Sequence, residues 1–436
     1  MTSSRLATLA LTAAVLAAAP EALAQPRPYR PLFGGAAPAA PGRQALDLTL
    51  TLAGGYDDDV LHDAGDLRLD PRLLGGVFTA LSGDLRYALR ARRVEFAASA
   101  GSSLRRFHDM GATVPVGHYA GVGLSLTPGS RTTIVLTQSV SHTPSPLYGL
   151  FARAAAAALA ELAPTGVDYA YGDVRTYTYV AALRATRQVG RRGTLSFDSG
   201  YRRTDVDGEV VGFSDLVAYD VGGAYSHGLG RDVSLRLGYT YREGQYFDTV
   251  RARQHDLDAG IDYNRPLSRS RRTRLALGFG STVIEGPPFG SPSAVVVRQY
   301  RARAHAGLTH HMGRTWTLGA VYRRGGHLVE GIPAPFYTDS VTVTLGGFLT
   351  RRADLTASAA YTAGDVWGQS ATAIETYTGD LRLRVGLTRT LAAFAEYLYY
   401  YYDFARAPEL QGALPPRLRR QGVRVGLAVW LPVLQR

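Results

Sequence analysis

The chain has 436 residues, no cysteine and a formal net charge of +12. The lack of cysteine excludes disulfides, zinc thiolates and a lipidated N-terminal cysteine. A mean hydropathy near zero is too polar for a bundle of membrane helices, and the basic residues, all of them arginine, are spread along the chain instead of forming one nucleic-acid surface.

The N-terminus has the features of a secretory signal peptide. Arg5 precedes an apolar run, Leu6–Ala19, and small residues follow at Ala22–Ala24. The run is shorter than the ~20 residues that a spanning helix needs, so we expect cleavage after Ala24; a short anchor helix is the alternative. Residues 25–42, rich in Pro, Gly and Ala, predict an extended periplasmic leader. Residues 43–436 remain for the folded domain.

From Arg43 onward the sequence predicts eighteen strands. In the segment Arg231–Arg242, apolar residues alternate with polar or small ones, the period of two that sorts side chains onto two faces of a strand. The segments are long enough for a tilted strand to cross hydrocarbon, which takes ~9–11 residues. The predicted strands begin near Arg43, Phe78, Arg93, Val114, Arg131, Asp173, Arg192, Asp215, Arg231, Arg253, Arg271, Val296, Gly313, Tyr337, Arg352, Ile374, Thr390 and Arg417.

Short and long connections alternate between these strands. Two of the predicted long loops are Glu243–Ala252 and Gly325–Pro335, and the longest is Ser141–Gly172. This pattern predicts an all-β fold, a transmembrane up-and-down antiparallel barrel with short periplasmic turns and long extracellular loops. Tyrosines toward the long loops, Tyr119 and the Tyr397–Tyr402 cluster among them, predict an aromatic girdle.

If the apolar positions face lipid, the other positions must line the lumen, because an arginine on the lipid face costs about 2–4 kcal/mol at mid-bilayer. Arginine outnumbers carboxylate there, which favours a mild preference for anions. The alternative is a wall laced by neutralising pairs, such as Asp256 and Asp258 with Arg236 or Arg274. The predicted pore-lining residues are Arg86, Arg184, Arg202, Arg236, Asp256, Asp258, Arg274, Arg301, Arg303, Arg323, Arg382, Arg384, Glu396 and Arg424.

The third long loop contains a helix-favouring segment, Leu150–Leu162, with prolines on both sides. Folded inward, it would constrict the pore through Leu150, Arg153, Glu161 and Leu162. A lid over the mouth and a surface helix are the alternatives.

No motif indicates a cofactor, a metal site or an enzyme. Asp57, Asp58 and Asp59 with nearby Asp63 and Asp66 offer oxygen ligands, but their spacing fits no dedicated calcium loop. The sequence also lacks a convincing nucleophile elbow, an HExxH motif and a phosphate-binding glycine loop.

The end of the first predicted strand, Gly55-Tyr56-Asp57-Asp58-Asp59-Val60, resembles the opening of the outer-membrane β-barrel porin families, with Asp59 where those families usually have Asn. The resemblance implies a gram-negative cell outer membrane location. Some members are found near exopolysaccharide export systems. No ligand-binding residue follows from it.

These observations together favour a passive channel for small hydrophilic, preferentially anionic, solutes, with outer-membrane lipids as its surroundings and no nucleic-acid partner. The first alternative is the outer-membrane conduit of an exopolysaccharide export system, in which an arginine-lined bore would steer an acidic polymer. The second is a non-conducting barrel with a structural or adhesive role.

Overall fold

A computed structural model describes residues 43–58, 76–108, 116–143, 175–207, 214–246, 250–268, 271–286, 296–313, 315–328, 335–366, 374–404 and 417–435. Within these ranges the regular structure is all strand. Among the residues described, no helix has the length and apolar character to cross a membrane.

The structure confirms the predicted eighteen strands, and each begins within a few residues of its predicted start. Their ranges are β1 Arg43–Asp57, β2 Gly76–Arg90, β3 Val94–Phe107, β4 Val116–Gly129, β5 Thr132–Thr143, β6 Arg175–Val189, β7 Gly193–Asp207, β8 Leu216–Gly228, β9 Val233–Tyr246, β10 Val250–Ser268, β11 Arg271–Gly286, β12 Val297–Met312, β13 Trp316–Leu328, β14 Pro335–Phe348, β15 Ala353–Val366, β16 Ile374–Gly386, β17 Leu391–Asp403 and β18 Arg417–Gln435.

The strands form one closed antiparallel sheet. Each strand pairs with the next along the chain, and β18 pairs with β1 from Ala45↔Gln435 to Asp57↔Gly422. The β1–β18 ladder shifts register once, beside Pro432, which has no N–H to donate to a neighbouring strand. Closure gives every strand a neighbour on both sides, as a sheet in hydrocarbon requires.

The two faces of the wall differ in polarity. Outward positions carry large apolar side chains with high exposure, such as Leu257 at 59% and Phe279 at 69%. An apolar surface of this extent is unsuited to water but suits contact with lipid. Near the long-loop end, outward tyrosines stack in rows across neighbouring strands, including Tyr361, Tyr377 and Tyr401.

Two sequence expectations about the long-loop end are wrong. Tyr119 is not part of the outer girdle; it shares an inner row with Gly101, and its hydroxyl donates to Asp84. Tyr402 likewise lies on the inner face.

The second expectation concerns the loop predicted at Glu243–Ala252. Most of this segment is strand, because β9 runs to Tyr246 and β10 begins at Val250. Alternation continues past the membrane boundary, so it does not mark where a strand ends.

Two short turns depend on glycine. Gly190, between β6 and β7, and Gly313, between β12 and β13, have φ of 70° and 64°. Side chains with a Cβ rarely adopt this left-handed region, so glycine allows the chain to reverse in few residues.

Candidate functional site

The ladder registers place the predicted pore-lining residues on the inner face. In one inner row, Asp256 pairs with Thr282 and Thr282 with Arg301, whereas the outer rows on its two sides carry the exposed Leu257 and Tyr300. Read around the barrel, the inner rows contain Arg86, Arg184, Arg202, Arg236, Asp256, Asp258, Arg274, Arg301, Arg303, Arg323, Arg382, Arg384, Glu396 and Arg424.

Carboxylates between β15 and β18 are held by arginines of neighbouring strands. Glu396 Oε1 lies 3.4 Å from Arg382 Nη2, and Glu396 Oε2 lies 2.8 Å from Arg424 Nη2. Arg384 Nε donates to Asp354 Oδ1 at 3.0 Å. These links cross three strand interfaces, so this part of the wall is stiffened and its charge is largely compensated.

A second set of pairs lies on β9–β12. Arg236 Nε is 3.4 Å from Asp258 Oδ2, and His305 Nδ1 is 3.3 Å from Asp258 Oδ1. Asp256 pairs with Arg303 at 3.5 Å, a partner that the sequence did not suggest. None of the ion pairs found among the described residues involves Arg274. The neutralising ion pairs expected as an alternative are therefore present in part, and some of their partners differ from those that the sequence suggested.

Asp57 is a structural group and not a solvated loop carboxylate. Both of its oxygens accept from the guanidinium of Arg420, and the two side chains are 1% exposed. Arg105 Nη1 lies 3.9 Å away, with its guanidinium over the ring of Phe78. Asp59, Asp63 and Asp66 lie outside the described residues, and the described residues contain no His, Cys, Asp or Glu cluster able to hold a metal.

The long-loop end of β13 leaves the wall and enters the barrel. β13 pairs with β12 only up to Ala304↔Arg324, although its ladder with β14 continues to Leu328↔Pro335. Beyond Arg324 the strand contacts the inner face of β10, three strands away: Gln254 Nε2 donates to Gly326 O at 3.4 Å. The end of the β13–β14 hairpin therefore narrows the lumen.

Leu328 secures this inward position. Its side chain packs with Leu216 and Tyr246, which are fully buried, on β8 and β9. A Cβ added to Gly244 would lie 2.6 Å from Leu328 Cδ1, so a larger residue there would force the Leu328 side chain to shift.

Basic groups surround the inserted hairpin. Arg242 interacts electrostatically with Arg202 and Arg303 and with the carboxylates of Asp220 and Asp256. His327, on the hairpin itself, lies within electrostatic reach of Arg242, Arg303, Arg323 and Asp256. We call the following residues the basic cluster: Arg202, Arg242, Arg303 and Arg323. In the part of the chain described here, the basic cluster lies close to the carboxylates of Asp220 and Asp256.

The constriction that the sequence predicted was a different one. Leu150–Leu162, with Leu150, Arg153, Glu161 and Leu162, lies outside the described residues. The observed narrowing comes from Gly325–Leu328, which the sequence assigned to a loop. Its only signal was Gly325-Gly326, and a glycine pair is equally typical of an ordinary turn.

Apolar side chains form a collar on the inner face near the long-loop end, and each is at most 3% exposed. Two pairs of the collar are in ring contact, Phe78 with Phe107 and Tyr402 with Phe404. The collar consists of Phe78, Phe107, Leu216, Tyr246, Ile284, Phe336, Ile374, Tyr402 and Phe404. The inner surface therefore changes from apolar at the collar to charged at the basic cluster.

Comparison with known proteins finds similarity among solved structures. No family model and no curated protein matches the chain. Among solved structures, it is similar to OpdL of Pseudomonas aeruginosa, with 13% identity, a TM-score of 0.43 and coverage of 90% of this chain and 99% of that one. It is also similar to OccK2 (OpdF) of the same organism, with 11% identity, a TM-score of 0.46 and coverage of 90% of this chain and 100% of that one. The similarity to OccAB2 of Acinetobacter baumannii has 9% identity, a TM-score of 0.46 and coverage of 90% of this chain and 98% of that one.

The architecture itself is established by the strand pairing. A closed sheet of eighteen strands, apolar outside and charged inside, satisfies the backbone and side-chain requirements of a bilayer. The chain folds as a closed, eighteen-stranded antiparallel β-barrel whose two faces suit a membrane-spanning wall.

Proposed function

We propose that this barrel is a passive channel for small hydrophilic solutes with a preference for anions. The observation that carries the proposal is the basic cluster at the inserted β13–β14 hairpin, where Arg202, Arg242, Arg303 and Arg323 gather around Asp220 and Asp256.

Selectivity in a channel is set where the bore is narrow, because only there does a solute pass within reach of the wall charges. Most inner charges away from the hairpin are compensated, as at Glu396 and Asp354. The basic cluster, by contrast, lies where the hairpin narrows the lumen. Rings of arginine favour anions in pores.

The inserted hairpin also bears on the polysaccharide alternative. A conduit for a polymer needs a bore that stays wide along its length, whereas here Gly326 contacts Gln254 on the inner face of β10 and Leu328 reaches β8 and β9. This geometry favours small solutes. A non-conducting barrel would have no measurable conductance.

The proposal is tested by single-channel recording in planar bilayers under a tenfold KCl gradient. We expect a reversal potential of the sign given by chloride permeation. Arg242→Gln should move this potential toward zero. The matched control Arg253→Gln removes an outer-face guanidinium that pairs with Glu243 and should leave it unchanged. Cation selectivity would refute the anion preference. A barrel that is correctly inserted but conducts no ions would refute the channel function.

A further inference from the structure

The barrel wall contains a seam between β12 and β13, bounded by Val297–Arg303 on one side and Gly325–Leu328 on the other. These two segments belong to adjacent strands but do not pair, since the ladder between them stops at Ala304↔Arg324. The segment Val297–Arg303 keeps its ladder with β11 on its other side. Unpaired backbone in a lipid-facing wall is costly, so the seam needs groups that satisfy it.

Tyr337 of β14 fills the seam. Tyr337 lies on the same outward face of β14 as Val341. Val341 is 41% exposed, whereas Tyr337 is only 7% exposed. The Tyr337 hydroxyl donates to the carbonyl oxygen of Ala302, which lies beyond the paired part of β12, and accepts from Arg324 Nε at 2.9 Å. A side chain thus replaces the missing strand ladder.

An ion pair at the seam joins residues from opposite faces of the wall. Arg301 belongs to an inner row, because it pairs with Thr282, whereas Asp365 belongs to an outer row, because it pairs with Tyr337. Arg301 Nη1 lies 3.9 Å from Asp365 Oδ2. The ion pair therefore links β12 to β15 across the seam.

We propose that the β12–β13 seam is a lateral port, closed by Tyr337, that connects the lumen with the outer leaflet for an amphipathic molecule with an anionic head and an acyl tail. The chemistry of the head follows from the guanidinium groups of Arg301 and Arg324, which lie 5.2 and 5.6 Å from the centre of the Tyr337 ring. An anionic head would compete with Asp365 for Arg301. The tail would meet the lipid beside Tyr300, which is 69% exposed.

The port can open without dismantling the barrel. The β13–β14 ladder is continuous to Leu328↔Pro335, so Tyr337 and the inserted hairpin are connected as one unit. The lower ladder from Ala304↔Arg324 to Met312↔Trp316 holds the two strands together at the other end. This proposal rests on the wall geometry and does not require that ions pass along the lumen.

Access through the seam is tested by cysteine labelling, for which the chain is suited because it has no cysteine of its own. Gln299→Cys places one thiol on an inner row beside Arg301. In phospholipid vesicles, an N-alkyl maleimide confined to the membrane reaches this thiol only through the wall. We expect Tyr337→Phe to raise the labelling rate about tenfold, because it removes two hydrogen bonds from the closed state, and Tyr337→Ala to raise it further.

The control is Tyr361→Ala, which removes an outward tyrosine of β15 that bonds Glu375 away from the seam. Its labelling rate should equal that of the parent Cys variant. A water-soluble maleimide, which enters through the lumen, should label all variants equally and so shows that they fold. Equal membrane-phase labelling in the parent, Tyr337→Phe and Tyr337→Ala variants would overturn the lateral port.

The ligand class is tested with two photoactivatable probes of equal chain length, a fatty acid and an alkyltrimethylammonium. We expect the fatty acid to crosslink to the strand segments that border the seam, and Arg301→Gln to abolish this while Arg253→Gln does not. Equal crosslinking by the two probes would refute the anionic head. Conductance recorded on the same samples separates the two proposals. A barrel that conducts no ions but is crosslinked at the seam by the fatty acid would refute only the channel function.

Discussion

Glu396 should be among the residues on which barrel stability depends most. Its side chain is 1% exposed and lies between Arg382 and Arg424, which are 11% and 14% exposed. Glu396→Gln removes the shared counter-charge and leaves two nearly buried guanidinium groups without it. Breaking a buried pair from one side costs about 3–5 kcal/mol, and two arginines depend on this carboxylate, so we expect a loss of at least that order.

The free energy of unfolding can be measured by urea titration in phospholipid vesicles, with the fluorescence of the three tryptophans as the signal. Asp403→Asn is the matched control. Asp403 pairs with Arg417 on the outward face of the same two strands, and this arginine is 70% exposed. An exposed pair contributes about 0–1 kcal/mol. If Glu396→Gln costs no more than Asp403→Asn, the inner wall is hydrated enough to screen these charges and our account of its stiffness is wrong.

Three further predictions address the hairpin, the outer face and the long-loop end. Gly326→Leu should displace the hairpin and raise single-channel conductance, because its Cβ would lie within 3.0 Å of the side chains of Gln254 and Ile284; unchanged conductance would mean that the hairpin does not limit flow. Leu257→Arg should destabilise the barrel by about 2–4 kcal/mol, whereas Thr309→Arg, on an inner row, should cost much less; similar losses in urea titration would contradict the assignment of faces. Asp57→Asn should lower stability by about 3–5 kcal/mol, since Arg420 would lose its buried partner; a loss below about 1 kcal/mol would indicate hydration there.

The sequence could predict the wall because each strand reports its own environment. In β18, Val423, Val425 and Leu427 alternate with Arg424 and Gly426, and a bilayer permits only one assignment of such a strand. The same reasoning applies independently to every strand. The sequence alone was therefore enough to predict the number of strands, the two faces of each strand and the closure of the barrel. No knowledge of contacts between distant residues was needed.

Partner choice on the inner face could not be predicted in the same way. Alternation shows that Asp256 and Arg303 face inward, but their pairing depends on the register of β10, β11 and β12 and on side-chain reach across two interfaces. A shift of one strand by two residues would keep every apolar residue outside and change every ion pair. The apolar pattern is indifferent to such shifts, so it carries no information about partners.

The inserted hairpin is the extreme case, because its position is decided by residues far away in the chain. Leu328 is held by Leu216 and Tyr246, and it lies directly against Gly244. No local property of Gly325–Leu328 distinguishes a strand end that stays in the wall from one that crosses the lumen.

One departure from regular pairing produces both proposed functions. When β13 turns inward beyond Arg324, it carries His327 into the basic cluster and narrows the bore. The same movement withdraws the partner of Val297–Arg303 and opens the seam that Tyr337 fills. Constriction and seam are therefore coupled: a change that returns the hairpin to the wall must widen the lumen and close the lateral opening together. A variant that alters conductance through this hairpin should also alter membrane-phase labelling of Gln299→Cys, in the opposite direction when the hairpin returns to β12.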